Sequence, residues 1–248
     1  MKDIAVILRG KNESKWIIQC IQSLKNQDKV AFDIFYIDNK SSDFTLDLAL
    51  SMGAIVASYE EEYFPGKMLN FGIKYAENHG QYKSFLFLST HCIIQDPLSL
   101  YYLFTNLDIP KKIRSCFGRQ VPAEFSSLAA IRDLVELYPS YTSLDGTTMR
   151  LNNAFSLISY EAIKENYFDE SVTNIEDFIW SIQEIKKGYA IKYVPQASVM
   201  HSHGPHHEGN ESRLRKTAKT LKLNWDMFDF KPAKTKLDKS KILAIFSS

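Results

Sequence analysis

The order of secondary structure follows from residues 4–13, which read IAVILRGKNE, and residues 32–45, which read FDIFYIDNKSSDFT. In each stretch a short apolar run ends in a polar, charged turn. Apolar runs of this length are typical of strands buried on both faces. Apolar residues at helical spacing follow the first turn, from Trp16 to Leu24. The two stretches therefore predict the strand, helix, strand unit of a parallel sheet.

The same alternation continues to about residue 90. The next predicted elements are a helix over 45–52, a strand over 54–57, a helix over 68–78 and a strand over 85–88. Strands joined by single helices form an open sheet with right-handed crossovers and helices on its faces. The sequence therefore predicts an α/β fold built on an open parallel sheet.

Three polar loops lie where such a sheet binds its ligands. Open α/β sheets bind ligands beyond the carboxyl ends of their strands, which selects the loops after Leu8, Ile37 and Leu88. Asp38, in the second loop, is in position to accept a hydrogen bond from a ribose or a base. Asp is also a common helix cap, so both roles stay open. The chain has neither a G-x-G-x-x-G nor a G-x-x-x-x-G-K-[ST] motif, so any nucleotide is held in another way.

The second half of the sequence alternates less regularly. Its predicted elements are a strand over 113–118 that ends at Arg119-Gln120, a helix over 127–137, a strand over 155–158, helices over 160–165 and 178–187, and a strand over 191–194 that ends at Pro195. No repeat or linker interrupts the chain before residue 205. We therefore expect one domain over residues 1–204.

The tail over residues 205–248 has a different composition. Between Glu211 and Lys241 it carries ten Lys or Arg against four Asp or Glu, with Leu, Trp and Phe interleaved. This pattern is typical of an amphipathic helix on an anionic surface. A helix packed on its own domain has the same pattern. We expect a helical tail that either packs on the domain or faces a membrane.

The composition excludes several classes of protein. The 248 residues carry Lys+Arg 30 against Asp+Glu 29, whereas a dedicated nucleic-acid binder usually has a strongly basic domain. Cys20, Cys92 and Cys116 are far apart and form no C-x-x-C pair, which indicates reduced thiols. The sequence contains no apolar run near the ~20 residues of a membrane span, and it shows no signal peptide. We therefore expect a cytoplasmic protein that does not bind nucleic acid.

Two further groups of residues are candidates for chemistry. Glu176-Asp177 lies just before an apolar helix, where acids either complement the helix dipole or supply a general base. Four of the six histidines lie within residues 201–207, and His91 supplies a fifth. Alternate residues of an extended segment point the same way, so His201 and His203 are candidates to hold a metal ion or a diphosphate. Adventitious metal binding by such a tract also stays open.

Four motifs together resemble a known family. They are residues 7–13 (ILRGKNE), 36–45 (YIDNKSSDFT), 65–73 (PGKMLNFGI) and 175–177 (IED). On these motifs the chain resembles the family 2 glycosyltransferases, inverting nucleotide-sugar enzymes with the GT-A fold, over roughly residues 3–204. The resemblance implies an α/β fold of the Rossmann-like, nucleotide-binding kind, with an open mixed sheet flanked by helices.

The resemblance also implies roles for individual residues. Asp177 matches the general base of the family's ED motif, with Glu176 beside it. The residues that match donor or nucleotide positions are Asn12, Glu13, Asp38, Lys67 and Asn70. We expect Arg9, Ser89 and His91 to bind the donor as well. The residues expected near the acceptor or the diphosphate are Arg119, Gln120 and Asn153.

One motif departs from the family. Most members carry D-x-D to hold Mg²⁺ or Mn²⁺, where this chain has Ser89-Thr90-His91. Two carboxylates suit a hard cation, whereas Ser and His supply little negative charge. A rhamnosyltransferase-like subgroup without D-x-D resembles this chain at residues 89–92, 118–122 and 201–203. Whether the chain binds Mg²⁺ or Mn²⁺ stays open. We expect His91, together with His201 or His203, to hold either a metal ion or the leaving diphosphate.

The resemblance implies a function as well. It is that of a hexosyltransferase-type, inverting enzyme that moves a sugar from a UDP-, dTDP- or GDP-linked donor to a glycan or lipid-linked acceptor in surface polysaccharide synthesis. The basic tail would then add a peripheral contact with the inner face of the membrane. One alternative is a non-catalytic nucleotide- or glycan-binding module. Another is a sugar nucleotidyltransferase, for which Arg9-Gly10-Lys11 is a poor match.

Overall fold

The computed structural model describes residues 1–142, 146–148, 150–172 and 174–202. The strands in these ranges are β1 (Lys2–Gly10), β2 (Phe32–Asp38), β3 (Ile55–Ser58), β4 (Tyr82–Ser89), β5 (Cys92–Ile94), β6 (Ile113–Pro122), β7 (Thr147–Thr148), β8 (Phe155–Ser159) and β9 (Ala190–His201). The helices in these ranges are α1 (Ile17–Lys25), α2 (Thr45–Ser51), α3 (Pro65–Glu77), α4 (Ser99–Thr105), α5 (Leu128–Leu137), α6 (Tyr160–Glu165) and α7 (Glu176–Lys186).

The described strands form one open, mixed sheet in the order β3-β2-β1-β4-β8-β6-β9-β5, with β7 paired to β9. The first half of the chain supplies the parallel strands β3, β2, β1 and β4. β8 then runs antiparallel between β4 and β6, and β6 and β9 are parallel. The predicted α/β fold, an open mixed sheet flanked by helices, is confirmed.

The parallel strands end together at one edge of the sheet. Leu8 of β1 is paired with Leu88 of β4, and Gly10 is paired with Asp38 of β2. The loops that the sequence selected therefore start from adjacent positions. This edge is where open α/β sheets bind their ligands.

The core has two parts because β1 alternates its side chains between the faces of the sheet. Ile7 packs into one part, which includes Trp180 of α7, and Leu8 packs into the other with the apolar face of α1. Trp180 is fully buried and donates its Nε1–H to the Asn166 carbonyl oxygen at 2.7 Å. α7 is thus fixed to the sheet, which positions the residues at its start.

Two strands are longer than the sequence predicts. β6 continues past Arg119 to Pro122, and β9 continues past Pro195 to His201. The pairing shifts register after Gly118, so that residues 195–197 of β9 have no partner in the β6 ladder. Proline is tolerated at such an irregularity because it has no N–H to donate. The prediction that Pro195 ends the strand is wrong, and His201 lies within the sheet.

Several predictions concern residues that the structure does not describe. They are the basic tail over 205–248, the boundary near residue 204, and His203. The elements that the sequence analysis missed are short: β5, β7 and α4. The three cysteines are buried and unpaired, as predicted. Within the described ranges, every helix is too short or too polar to cross a lipid bilayer.

Candidate active site

The loops after β1 and β2 are tied together. Asn12, with a φ of 57°, donates its backbone N–H to Ser41 Oγ at 2.9 Å, and its Oδ1 accepts the Ser42 N–H at 2.8 Å. Asn adopts this left-handed conformation more readily than most residues. Glu13 donates its backbone N–H to Thr45 Oγ1 at 2.7 Å. The two loops therefore form one wall at the carboxyl edge of the sheet.

Asp38 is buried in this wall, with 4% of its surface exposed. Its Oδ2 accepts the Ser41 N–H at 2.9 Å, and its Oδ1 accepts the Tyr36 hydroxyl at 3.4 Å. Burial, and then the charge of Asp38, raises the pKa of Tyr36, so the phenol stays a donor. The alternative in which Asp38 caps α2 is wrong, because Asp43 Oδ1 accepts the Thr45 N–H there at 3.0 Å.

The end of β4 is joined to the loop after β1. Ser89 is paired with Arg9 in the ladder between the two strands. Thr90 is buried, and its hydroxyl donates to the Arg9 carbonyl oxygen at 2.8 Å. His91 Nδ1 lies 3.2 Å from Glu13 Oε1. These contacts bring the predicted residues Arg9, Glu13, Ser89 and His91 together.

His91 also stacks on His201, with ring centroids 5.1 Å apart and planes inclined by 17°. The pairing of His201 with Cys92 in the sheet brings the two rings together. His201 Nδ1 lies 2.7 Å from Gln120 Oε1, and Gln120 Nε2 donates to Asn152 Oδ1 at 3.0 Å. Because this second bond makes Gln120 Oε1 the acceptor, His201 carries a proton on Nδ1.

The residues described do not fit a divalent metal such as Mg²⁺ or Mn²⁺. These cations prefer oxygen ligands, above all carboxylates, and Ser89, Thr90 and His91 supply no carboxylate. Within the described part of the chain, no group of three His, Cys, Asp or Glu side chains could hold a metal ion. Of the predicted metal ligands, His91 and His201 lie together, and His203 lies outside the described residues.

Arg9 connects this edge of the sheet to the start of α7. Its Nη2 donates to Glu176 Oε1 at 3.1 Å, and its Nη1 donates to the Tyr63 hydroxyl at 3.0 Å. Burial lowers the pKa of the Arg9 guanidinium. Electrostatic interactions with Tyr63, Glu176 and Asp177 raise it by more, so the net pKa is above its usual value. Glu176 is buried, with 3% of its surface exposed. This ion pair places the two acids of α7 beside the end of β1.

The carboxyl group of Asp177, the second acid of α7, is held by two backbone N–H groups. Its Oδ2 accepts the Asn153 N–H at 3.1 Å, and its Oδ1 accepts the Phe178 N–H at 2.7 Å. The net effect is a pKa of Asp177 above its usual value, because burial raises it by more than the two hydrogen bonds and the charges of Arg150 and Arg9 lower it. A partly buried carboxylate with a raised pKa is typical of a general base.

Lys67 and Asn70 lie on α3, and their contacts are with other segments. Lys67 Nζ lies 3.6 Å from Glu61 Oε2. Asn70 is buried; its Nδ2 donates to the Phe168 carbonyl oxygen at 2.9 Å and to Glu170 Oε1 at 3.0 Å, and its Oδ1 accepts the Phe168 N–H at 3.1 Å. Asn70 therefore holds the loop before α7. Its contact with a donor stays a prediction.

Three residues that support this cluster were not predicted from the sequence. Asn152 joins Gln120 to the Tyr138 hydroxyl, to which its Nδ2 donates at 2.7 Å. Tyr63 is the second partner of Arg9. The only sequence signal for Asn152 is its place beside Asn153, just before the apolar strand β8. No pattern marks Tyr63 or Tyr138, because each meets its partner only after folding.

Two comparisons concern the sequence itself. Residues 6–141, more than half of the chain, match the family model described as Glycosyl transferase family 2. A comparison with curated proteins finds no match.

Solved structures share the fold. The mannosyltransferase PcManGT from Pyrobaculum calidifontis, in complex with GDP-Man and Mn²⁺, has a TM-score of 0.64 at 14% identity, over 90% of this chain and 67% of that chain. Glucosyl-3-phosphoglycerate synthase from Mycobacterium tuberculosis, in complex with phosphoglyceric acid, has a TM-score of 0.63 at 19% identity, over 90% of this chain and 81% of that chain. S. aureus TarS 1-349, in complex with UDP-GlcNAc, has a TM-score of 0.60 at 17% identity, over 98% of this chain and 70% of that chain. At these identities the likeness shows the fold, and the predicted GT-A arrangement is confirmed.

Proposed function

The chain belongs to glycosyl transferase family 2, and from this premise we propose that it transfers a sugar from a nucleotide-sugar donor to an acceptor hydroxyl with inversion at the anomeric carbon. One observation carries the proposal. Arg9, at the end of β1, reaches Glu176 at 3.1 Å, and Asp177 with its raised pKa is the next residue. This contact supports a general base beside the edge where open α/β sheets bind nucleotides.

In the proposed reaction, Asp177 accepts the proton of the acceptor hydroxyl. The hydroxyl oxygen forms a bond to the anomeric carbon, and on the opposite face the bond from that carbon to the diphosphate oxygen breaks. The electron pair leaves with the nucleoside diphosphate. This single displacement inverts the configuration. A general base is most effective when its pKa is closer to the working pH than that of an ordinary Asp, which agrees with the raised pKa of Asp177.

We assign the nucleotide to the wall formed by the loops after β1 and β2. In this assignment Asp38 contacts the ribose or the base, and Asn12 and Glu13 line the same wall. The further donor-binding residues that we propose are Arg9, Lys67, Asn70, Ser89 and His91. The contacts of Glu13 with His91 and of Arg9 with Thr90 support this group, since they join the loops at one edge.

We propose that protein side chains balance the charge of the leaving diphosphate. His91 and His201 would contact it, and Lys67 and Arg119 would add positive charge. Preorganised donors and cations stabilise the charge that develops on a leaving group. In support, Gln120 holds His201 in one orientation at 2.7 Å, and the end of β4 offers no carboxylate for a metal.

The finer assignments are proposals as well. They comprise the hexosyl nature of the sugar, a UDP-, dTDP- or GDP-linked donor, a glycan or lipid-linked acceptor, and a place in surface polysaccharide synthesis at the cytoplasmic face of the membrane. The rhamnosyltransferase-like subgroup rests on residues 89–92, 118–122 and 201–203 alone. The peripheral membrane contact would fall to the tail over residues 205–248, outside the described residues.

A donor screen tests the proposed function. Purified protein is heated with UDP-, GDP-, dTDP- and CMP-sugars, with and without EDTA, and donor hydrolysis is measured in parallel. We expect one nucleotide class to raise the free energy of unfolding, by about 2.7 kcal/mol at a ligand concentration 100 times its Kd, and EDTA to change neither binding nor hydrolysis. Loss of activity in EDTA that Mn²⁺ or Mg²⁺ restores would contradict the proposed charge balance. Binding without transfer or hydrolysis would instead favour the non-catalytic module.

The pH dependence of transfer follows from Asp177. The base works only when it is ionised, so kcat/KM falls as the pH drops through its pKa. Because burial raises that pKa, we expect the acid limb of the profile at higher pH than the 3.8 of an ordinary Asp. The measurement is kcat/KM for a donor identified by the screen, after a check that the protein stays folded at each pH. Undiminished activity down to about pH 4 would contradict a base with a raised pKa.

A further inference from the structure

Asn153 is buried, and its side-chain amide has an N–H group that no described residue uses. Only 2% of its surface is exposed. Its backbone N–H holds Asp177 Oδ2 at 3.1 Å, and its Oδ1 accepts the Ser156 hydroxyl at 2.8 Å. Its side-chain Nδ2 has no hydrogen-bond partner among the residues that the structure describes.

An unpartnered donor in this position calls for an explanation. A buried N–H group that has lost water without gaining a partner destabilises the folded state. Most buried polar groups in proteins are therefore hydrogen-bonded, and exceptions are concentrated where function requires them. Asn152, the neighbouring residue, shows the usual pattern, because its Nδ2 donates to the Tyr138 hydroxyl and its Oδ1 accepts from Gln120. A partner for Asn153 Nδ2 must come from outside the described protein.

The loop that carries Asn153 lies between the two sides of the proposed reaction. On one side, Ser89 at the end of β4 donates its N–H to the Ala154 carbonyl oxygen at 3.1 Å. On the other side, Asn153 itself holds the carboxylate of Asp177. Adjacent residues of one loop thus touch the strand edge assigned to the donor and the base assigned to the acceptor.

In a single displacement, the sugar that is transferred lies between these two sides. The anomeric carbon must stand between the leaving diphosphate oxygen and the attacking hydroxyl. We propose that Asn153 Nδ2 donates a hydrogen bond to a hydroxyl oxygen of the sugar that is transferred. Asn153 is then a specificity-determining residue for the donor sugar. This inference rests on the proposed function.

The test compares sugar nucleotides with bare nucleotides. The probes are UDP-glucose, UDP-GlcNAc, GDP-mannose and dTDP-rhamnose, with UDP, GDP and dTDP as their bare counterparts. Kd is measured by calorimetry for the wild type and for Asn153→Ala. We expect the variant to bind the preferred sugar nucleotide about tenfold more weakly, the effect of one lost hydrogen bond, and the bare nucleotide within about twofold of the wild type.

Two variants separate binding from structure. Asn106→Ala removes a partly buried Asn whose Nδ2 donates to the Tyr102 carbonyl oxygen at the end of α4, and it should change neither affinity. Asn153→Leu keeps the number of side-chain heavy atoms and the branched shape, so it replaces Asn153→Ala if the smaller side chain impairs folding. Both Asn153 variants retain the backbone N–H that holds Asp177, so the acid limb of the pH profile should not move.

The possible failures are distinguishable. If the wild type binds none of the sugar nucleotides, the proposed function is wrong and the inference fails with it. If the wild type binds them and the Asn153 variants bind equally well, only the inference is wrong. An equal loss for sugar nucleotides and bare nucleotides would assign Asn153 to the diphosphate and would overturn its role toward the sugar.

Discussion

The Asp177→Asn enzyme is expected to transfer sugar about 10²- to 10⁴-fold more slowly than the wild type, which is the usual contribution of a general base. The amide has nearly the shape of the carboxylate but cannot accept the acceptor's proton. The affinity for the nucleotide should not change, because the described hydrogen bonds of the Asp177 carboxylate are to Asn153 and Phe178, and not to the wall around Asp38. The measurements are kcat with saturating donor and the Kd of the bare nucleotide.

Glu161→Gln is the matched control for this experiment. Glu161 is an acid in the first turn of α6, as Asp177 is in the first turn of α7, but it is exposed and outside the proposed site. Its loss should leave kcat within about twofold, because an exposed charge near a helix start contributes only a few tenths of a kcal/mol to stability. If Asp177→Asn loses nucleotide binding together with transfer, the assignment of the base is wrong. Full activity in the variant would refute it as well.

The second large effect is expected on stability, from Arg114→Met. Arg114 lies on β6 and is buried; its Nε donates to Glu184 Oε2 on α7 at 2.7 Å, and its guanidinium stacks on Tyr189 at 3.5 Å. The Arg114 and Glu184 side chains are 3% and 1% exposed. Without Arg114, the buried Glu184 keeps only the partly exposed Lys187 at 3.3 Å and Asn166 at 3.1 Å. We therefore expect the free energy of unfolding to fall by about 3 kcal/mol, the lower end of the range for a broken buried pair. Urea unfolding measures this change.

Two further variants test the cause of that effect. Arg114→Met combined with Glu184→Met removes both charges, and we expect it to recover at least half of the lost stability, because apolar replacements of a whole buried pair are often neutral. Lys83→Met removes one partner of the pair between Lys83 and Asp3, which is far more exposed, and should cost less than about 1 kcal/mol. Equal losses in the Arg114 and Lys83 variants would show that burial does not decide the effect. α7 carries Asp177, so this anchor also supports the proposed site.

Much of the fold could be predicted from local patterns. The alternation of apolar runs and helical spacing identified β1, β2, β3 and β4 with the helices between them, because each of these elements buries its own apolar face. The rule for open sheets then selected the loops after Leu8, Ile37 and Leu88. The same patterns failed at Pro195, where a rule about single strands was overridden by pairing between β6 and β9. They also missed β5 and α4, which are too short to show a period.

The candidate site, like the fold, could be predicted from the sequence only in part. Motifs along the sequence identified Asp38, Glu176 and Asp177 as individual candidates, because the residue type and its place at the end of a strand or the start of a helix are local properties. Sequence could not tell that Arg9 pairs with Glu176, 167 positions away. Nor could it tell that His201 stacks on His91, since that contact depends on β9 continuing past its proline.

The sequence by itself therefore determined the class of the fold, the edge at which the ligand-binding loops lie, and the residue types at that edge. Only the tertiary structure decided which of those residues meet and that Asp43, not Asp38, accepts the Thr45 N–H at the start of α2. It also decided that the side-chain N–H group of Asn153 has no partner among the described residues. The physical reason is range. Periodicity and capping act between residues a few positions apart, whereas hydrogen bonds, ion pairs and burial depend on distances between segments that the packed sheet alone brings together.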